Sequence, residues 1–145
     1  MEKITEKRLL EAGWTRKRKI DISSFKEKYL KAGIIMPENV QEFLSVYGLL
    51  VFDSNDRKED LEFIPDKAIG YNLDKSYFED MLEEYGINGM MYPVGITCRD
   101  NLTVLMTNEN TFYCYTNGYL EKAGYNVETM LDCLVGECYE AEEIE

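Results

Sequence analysis

The chain of 145 residues contains no histidine. Without that side chain it has no Ser-His or Cys-His nucleophile pair and no histidine general base. Catalysis by carboxylates would need two acidic residues converging in an apolar pocket, and no spacing in the sequence indicates such a pair. The sequence therefore disfavours an enzyme, and we predict no catalytic residue and no cofactor.

Cysteine, proline and long apolar runs are also scarce. The four cysteines include no Cys-x-x-Cys pair, so free thiols in a reducing compartment are favoured over a zinc site. Three prolines and 45% hydrophobic residues argue against disorder. No apolar run approaches the roughly 20 residues of a membrane helix. The first seven residues lack the apolar segment of a signal peptide. We therefore predict one cytoplasmic domain over residues 1–145, with no metal and no membrane contact.

Acidic residues outnumber basic ones, giving a net charge of −12, and they are unevenly distributed. Residues 1–31 hold 10 Lys/Arg and 5 Asp/Glu, which gives a net charge of +5. Residues 32–145 hold 6 Lys/Arg and 23 Asp/Glu, which gives a net charge of −17. An acidic body repels nucleic acid and attracts cationic partners. A merely solubilising charged surface is the alternative interpretation.

A basic segment, Arg16-Lys17-Arg18-Lys19, interrupts the N-terminal region. Four consecutive cations can bind phosphates. The segment has no interleaved aromatic residues and no second basic patch beside it, so packing against the acidic body is equally compatible. We predict no direct contact with nucleic acid.

The N-terminal half of the chain predicts three helices and a hairpin. Thr5 to Ala12 is typical of a short helix capped by Thr5, and a second helix ends near Ala32. In the third, apolar residues at spacing i, i+3, i+4 and i+7 form one stripe, and Gly48 is predicted to end the helix in the left-handed conformation. Strands Leu49–Asp53 and Leu61–Pro65 follow. The apolar stripe consists of Val40, Phe43, Leu44 and Tyr47.

Two acidic clusters are the candidate partner-binding surface. The first lies in the predicted hairpin loop, whose resemblance to a calcium loop fails because Arg57 occupies a ligand position and Lys58 the position that requires glycine. The second lies on a predicted helix over residues 74–85, where like charges four residues apart are mildly unfavourable. Both are hypotheses from charge clustering, and a merely solvated face stays possible. The candidates are Asp53, Asp56, Glu59, Asp60, Asp74, Glu79, Asp80, Glu83 and Glu84.

The C-terminal half predicts an antiparallel meander. Strands Met91–Thr97, Leu102–Met106 and Thr111–Thr116 are separated by short turns. Alternation exposes some of the aromatic residues around the third strand, unless they pack across strands. A helix capped by Asn126 and ended by Gly136 follows. The tail over residues 137–145, with five glutamates, is predicted to fray. The fold class is therefore α+β, a mostly antiparallel sheet with helices packed around it.

Four stretches, in this order, resemble the third subfamily of the SUKH superfamily of immunity proteins. They are Leu10–Trp14 with the basic residues after it, Phe43–Leu50, Tyr92–Gly95 and Gly124–Leu131. The resemblance runs from about Leu10 to Gly136. Two positions depart from the family pattern. Leu49 replaces the second glycine of a usual pair, and Asn108-Glu109-Asn110 stands where a turn with aspartate and glycine is common.

The resemblance implies a single SUKH-like α+β domain without catalytic residues. Many members are immunity proteins of bacterial contact-dependent or polymorphic toxin systems, which bind and neutralise a cognate toxin domain, often a nuclease or a nucleic-acid deaminase. It thus implies an antitoxin that acts by binding, and it does not specify the toxin. Taken with the acidic body, it predicts a basic, nuclease-like toxin C-terminal domain as the partner. The family has no common binding surface, so it assigns no site residue. A regulatory protein-protein interaction module without a toxin is the alternative.

Overall fold

The computed structural model describes residues 1–55, 57–70, 80, 83–87, 90–98, 101–116 and 118–144. These residues form five helices with defined bounds and one seven-stranded sheet, which confirms the predicted α+β fold. The helices are α1 (Lys3–Glu11), α2 (Ser23–Lys31), α3 (Glu38–Tyr47), α4 (Asp66–Gly70) and α5 (Val127–Leu134). The strands are β1 (Val51–Phe52), β2 (Leu61–Glu62), β3 (Met91–Thr97), β4 (Leu102–Thr107), β5 (Phe112–Thr116), β6 (Tyr119–Gly124) and β7 (Glu142–Ile144).

The strands are antiparallel and adjacent in chain order from β1 to β7. The predicted meander is confirmed, and it extends further than predicted. β6 was not expected because Glu121, Lys122, Ala123 and Gly124 have low strand propensity, which pairing on both sides overrides. The prediction of a frayed tail was wrong, since β7 pairs with β6 through Leu120–Ile144, Glu121–Glu143 and Lys122–Glu142.

Both faces of the sheet are covered. Val104, Leu105 and Met106 are consecutive in β4 and wholly buried, and successive strand residues point to opposite faces. On one face, the Phe43 ring of α3 lies 5.2 Å from the Phe112 ring. On the other, Tyr85 contacts Tyr115 edge-on with 6.4 Å between ring centroids. The core is thus shared by two layers that pack on a central sheet.

The end of α3 differs from the prediction. Gly48 does not adopt the left-handed conformation, since its φ is −57°, and the residue with positive φ is Leu49 at 69°. Gly48 is instead required by close packing, because a Cβ there would overlap the carbonyl oxygen of Leu44 and lie 3.0 Å from the Phe25 ring. The chain therefore turns at the position where the sequence departs from the family's glycine.

Replacing Leu49 by glycine is expected to raise the free energy of unfolding by about 0.5–1 kcal/mol. A non-glycine residue in the left-handed region costs roughly 1–2 kcal/mol, part of which the greater freedom of glycine in the unfolded chain offsets. Leu49 is 52% exposed, so little packing is lost. Urea denaturation measures the change. Leu49→Ala is the control, because it removes the side chain but keeps the strained backbone. Equal stabilisation by both variants would contradict the backbone explanation.

One N-terminal prediction was wrong in detail. Thr5 does not cap α1, whose N-cap is Glu2, but lies buried inside the helix. Its hydroxyl donates to the Asp132 carboxylate at 2.6 Å, which ties α1 to α5. Trp14 is buried with its ring stacked on Tyr47 at 6.3 Å, and its indole N–H has no hydrogen-bond partner among the described residues.

The predicted helix over residues 74–85 falls mostly outside the described residues. Its described positions Asp80, Glu83 and Glu84 have helical backbone, and Tyr85 lies in a turn. The short helix α4 was not predicted. It follows Pro65, whose carbonyl accepts a hydrogen bond from the Ile69 N–H at 3.1 Å. Five residues are too few for an apolar period to be recognised.

Candidate protein-binding surface

The loop between β1 and β2, which carries the first acidic cluster, is held to the end of α5 by Arg57. The guanidinium donates to the carbonyl oxygens of Leu134 and Val135, the latter at 3.3 Å, and to that of Glu59 within the loop. It also lies 5.6 Å from the centre of the Phe52 ring. Burial lowers the pKa of Arg57. These contacts satisfy carbonyl groups that the helix leaves without partners.

Glu137 holds the same loop from the other side. Its carboxylate accepts hydrogen bonds from the backbone N–H groups of Lys58 at 3.0 Å and Glu59 at 3.1 Å, and from Arg8 at 3.3 Å. Charge-assisted bonds of this kind are stronger than neutral ones. The loop thus presents its side chains from a fixed backbone.

The predicted acidic residues of this loop point outward. Asp53 and Glu59 are exposed and Asp60 is half-buried, while Asp56 lies outside the described residues. In the second cluster Asp80, Glu83 and Glu84 are exposed, and Asp74 and Glu79 lie outside the described residues. Exposed carboxylates suit attraction of a cationic partner better than proton transfer in a dry pocket.

Sequence reasoning missed two further glutamates, which lie on the last two strands. Glu121 and Glu143 are directly opposite each other on β6 and β7. Like charges in that position destabilise a sheet. The Tyr119 hydroxyl donates to Glu121 at 2.6 Å, and this bond raises the pKa of Tyr119 to about 12. Recognising this pair required β6 and β7 to be identified as paired strands.

Glu121 and Glu143 influence the same titratable side chains as carboxylates of the two clusters. Burial raises the pKa of Cys98 to about 11, and Glu59, Glu121 and Asp60 raise it further. Burial also raises the pKa of Tyr85, with additional contributions from Glu84, Tyr115 and Glu143. Carboxylates of each cluster thus act on a titratable group that Glu121 or Glu143 also affects. We call this set of residues the acidic band: Glu59, Asp60, Glu84, Glu121 and Glu143.

The basic segment is partly used inside the fold. The Arg18 guanidinium donates to the carbonyl oxygens of Val46 at 2.5 Å and Gly48 at 2.8 Å at the end of α3. Arg16 pairs with Glu6 at 3.2 Å. Lys17 and Lys19 are exposed. Two of the four cations thus bind the protein itself.

The aromatic residues of β5 mostly pack into the sheet. Phe112 and Tyr115 are buried, whereas Tyr113 and Tyr119 are half-buried. Cross-strand packing is therefore the better description of this cluster. Among the described tyrosines, Tyr125 at 66% and Tyr139 at 45% are strongly exposed, and both lie outside the strands.

The cysteines carry free thiols, as predicted. Burial raises the pKa of Cys133 to about 12, so this thiol stays neutral at ordinary pH. No group of three or more cysteine, aspartate or glutamate side chains within the described ranges is placed to hold a metal ion. In the same part of the chain, each helix is too short or too polar to cross a membrane.

Comparison with known proteins gives one match. No curated protein and no solved structure is similar enough to be reported as a match. The family model for the SUKH-3 immunity protein matches residues 1–137. That match covers all five helices and the first six strands, and β7 lies beyond it. The chain belongs to the SUKH-3 immunity protein family.

Proposed function

We propose that this immunity protein binds the C-terminal domain of a secreted bacterial toxin and covers its active cleft with the acidic band. The toxin domain is a nuclease or a nucleic-acid deaminase. Such enzymes use cationic surfaces to hold phosphates. Exposed carboxylates compete for those cations, accelerate association and exclude the nucleic acid. The observation that carries the proposal is the pairing of Glu121 with Glu143, together with the charge contributions that these residues share with Glu59 and Glu84 at Cys98 and Tyr85.

The remaining properties follow from this role. The protein acts by binding and not by catalysis, as one domain over residues 1–145 in the cytoplasm. It uses no cofactor and does not contact nucleic acid directly. The candidates Asp53, Asp56, Asp74, Glu79, Asp80 and Glu83 add their negative charge to the attraction of the toxin.

The first experiment measures binding of the purified protein to the C-terminal domain of a large secreted protein encoded beside its gene, at low and moderate salt. Toxicity of that domain is scored in parallel, with and without the immunity protein. We expect tight binding that weakens with salt, together with rescue of growth. Tight binding independent of salt would retain the antitoxin role and reject the acidic band. Absence of both binding and rescue would favour a regulatory interaction module.

A further inference from the structure

A cavity of about 380 Å³ lies beside the outer edge of the sheet, between the end of β6, the start of α5 and the segment that leads into β7. Tyr125 and Tyr139 line it, and both remain substantially exposed. Exposed tyrosines beside a concave surface are typical of the centres of protein interfaces. This cavity does not include the glutamates of the acidic band.

Both tyrosines are held in place by the same residue. The Tyr125 backbone N–H donates to the Thr129 hydroxyl at 3.1 Å, and the Tyr139 hydroxyl donates to the Thr129 carbonyl oxygen. Thr129 is itself fixed by the capping box with Asn126 at the start of α5. The aromatic walls are therefore preorganised, which reduces the entropy lost on binding.

The charges around the cavity select a cationic occupant. Glu140 and Glu142 line it and are exposed, and Lys122 contributes one opposing charge. None of the ion pairs between described residues involves these three side chains. Two carboxylates and two aromatic rings match the planar guanidinium of arginine, which stacks on rings and donates two parallel hydrogen bonds.

The edge strand β7 adjoins the cavity and pairs only with β6 among the described strands. The outer side of an edge strand offers backbone N–H and C=O groups to an added strand. Short length and glutamates at an edge also serve to prevent indiscriminate pairing. The same glutamates would favour an added strand that carries positive charge.

We propose that the outer edge of β7 and this cavity dock an extended, arginine-containing segment of the toxin. The arginine side chain enters between Tyr125 and Tyr139 and contacts Glu140 and Glu142. This inference rests on the proposed function, because it identifies the chemistry of the partner's segment. It adds a specific anchor to the general attraction supplied by the acidic band.

The probe is a blocked pentapeptide that alternates valine and arginine, titrated into the full-length isotope-labelled protein while backbone amide signals are followed by NMR. The control peptide carries citrulline, which keeps the shape of arginine but removes its charge. We expect the arginine peptide to shift the amide signals of Tyr125 and residues 139–144. The citrulline peptide should bind at least about fivefold more weakly.

Substitutions in the cavity are expected to change the affinity for the arginine peptide in opposite directions. Tyr125→Ala and Glu142→Gln should each weaken binding of the arginine peptide about threefold or more, whereas Lys122→Gln should strengthen its binding by a similar factor. Glu27→Gln on α2 removes the same charge as Glu142→Gln from an exposed position elsewhere, and it should leave affinity within about twofold. Because Lys122→Gln predicts a gain, a general loss of folding cannot produce the expected pattern.

Three results with the peptides would overturn this inference. They are equal binding of both peptides, shifts confined to Glu59, Asp60, Glu84 and Glu121, and loss of affinity in the Lys122→Gln variant. Neutralisation of the toxin by a Tyr125→Ala, Glu142→Gln double variant as effective as that by the wild type would also overturn it, while leaving the proposed function intact. Failure of the wild-type protein to neutralise the toxin would instead remove the proposed function.

Discussion

Simultaneous replacement of Glu59, Glu84 and Glu143 by lysine is expected to weaken binding of the toxin domain about a hundredfold. Each reversed charge costs on the order of 1 kcal/mol at a wet interface, and each 1.4 kcal/mol is a factor of about ten in affinity. All three side chains are exposed, so folding should be preserved. Most of the loss should appear in the association rate, because the acidic band acts at a distance.

The matched control is the triple variant Glu27→Lys, Glu38→Lys and Glu109→Lys. It changes the net charge equally and alters exposed positions on α2, on α3 and in the turn between β4 and β5. Its association rate should fall by less than about threefold at moderate salt, because salt screens the interaction of the partner with charges more than about 10 Å away. Association rates measured across a salt series separate the two variants. An acidic-band variant that binds as well as this control would remove the acidic band from the interface.

Replacement of Gly124 by alanine is expected to lower the free energy of unfolding by about 3 kcal/mol, because α5 packs directly on this residue. An added Cβ would overlap the Met130 backbone nitrogen and lie 2.7 Å from its Cα. It would also lie 2.8 Å from the Thr129 hydroxyl, which belongs to the capping box of α5. The Met130 backbone cannot rotate away, so the helix would have to move off the sheet.

Gly118→Ala separates this steric effect from the general cost of replacing glycine. Gly118 has φ of 77°, and a Cβ there would meet nothing within 4 Å. Only backbone strain of about 1 kcal/mol is expected for that variant. Urea denaturation of both proteins measures the difference. The slope of the free energy of unfolding against urea concentration should be unchanged. Similar losses in the two variants would contradict the close approach of α5 to β6.

The elements that sequence reasoning predicted well are those with strong local patterns. Helix α3 has its apolar residues on one stripe, and α5 begins at an asparagine whose side chain caps the helix. The strands β3, β4 and β5 are separated by short turns, so their pairing needed no long-range information. In each case neighbouring residues alone supply the signal.

The elements that were missed depend on distant partners. β6 contains Glu121 and Lys122 at its centre and becomes a strand because β5 and β7 lie on either side of it. β7 has only three residues, and two of them are glutamates, which have low strand propensity. Helix α3 ends before Gly48 as predicted, but the left-handed conformation lies at Leu49. Close contacts with Leu44 and Phe25 account for the glycine instead.

The candidate site, too, was predicted only where the signal is local in sequence. Clusters of like charge are visible along the chain, so the sequence by itself determined that acidic side chains are available near residues 53–60 and 74–84. Its motifs also determined the family. Only the tertiary structure paired Glu121 with Glu143, and only it formed a cavity lined by Tyr125 and Tyr139. The physical reason is that strand pairing and helix packing join residues far apart in sequence, and no local pattern encodes which distant residues will meet.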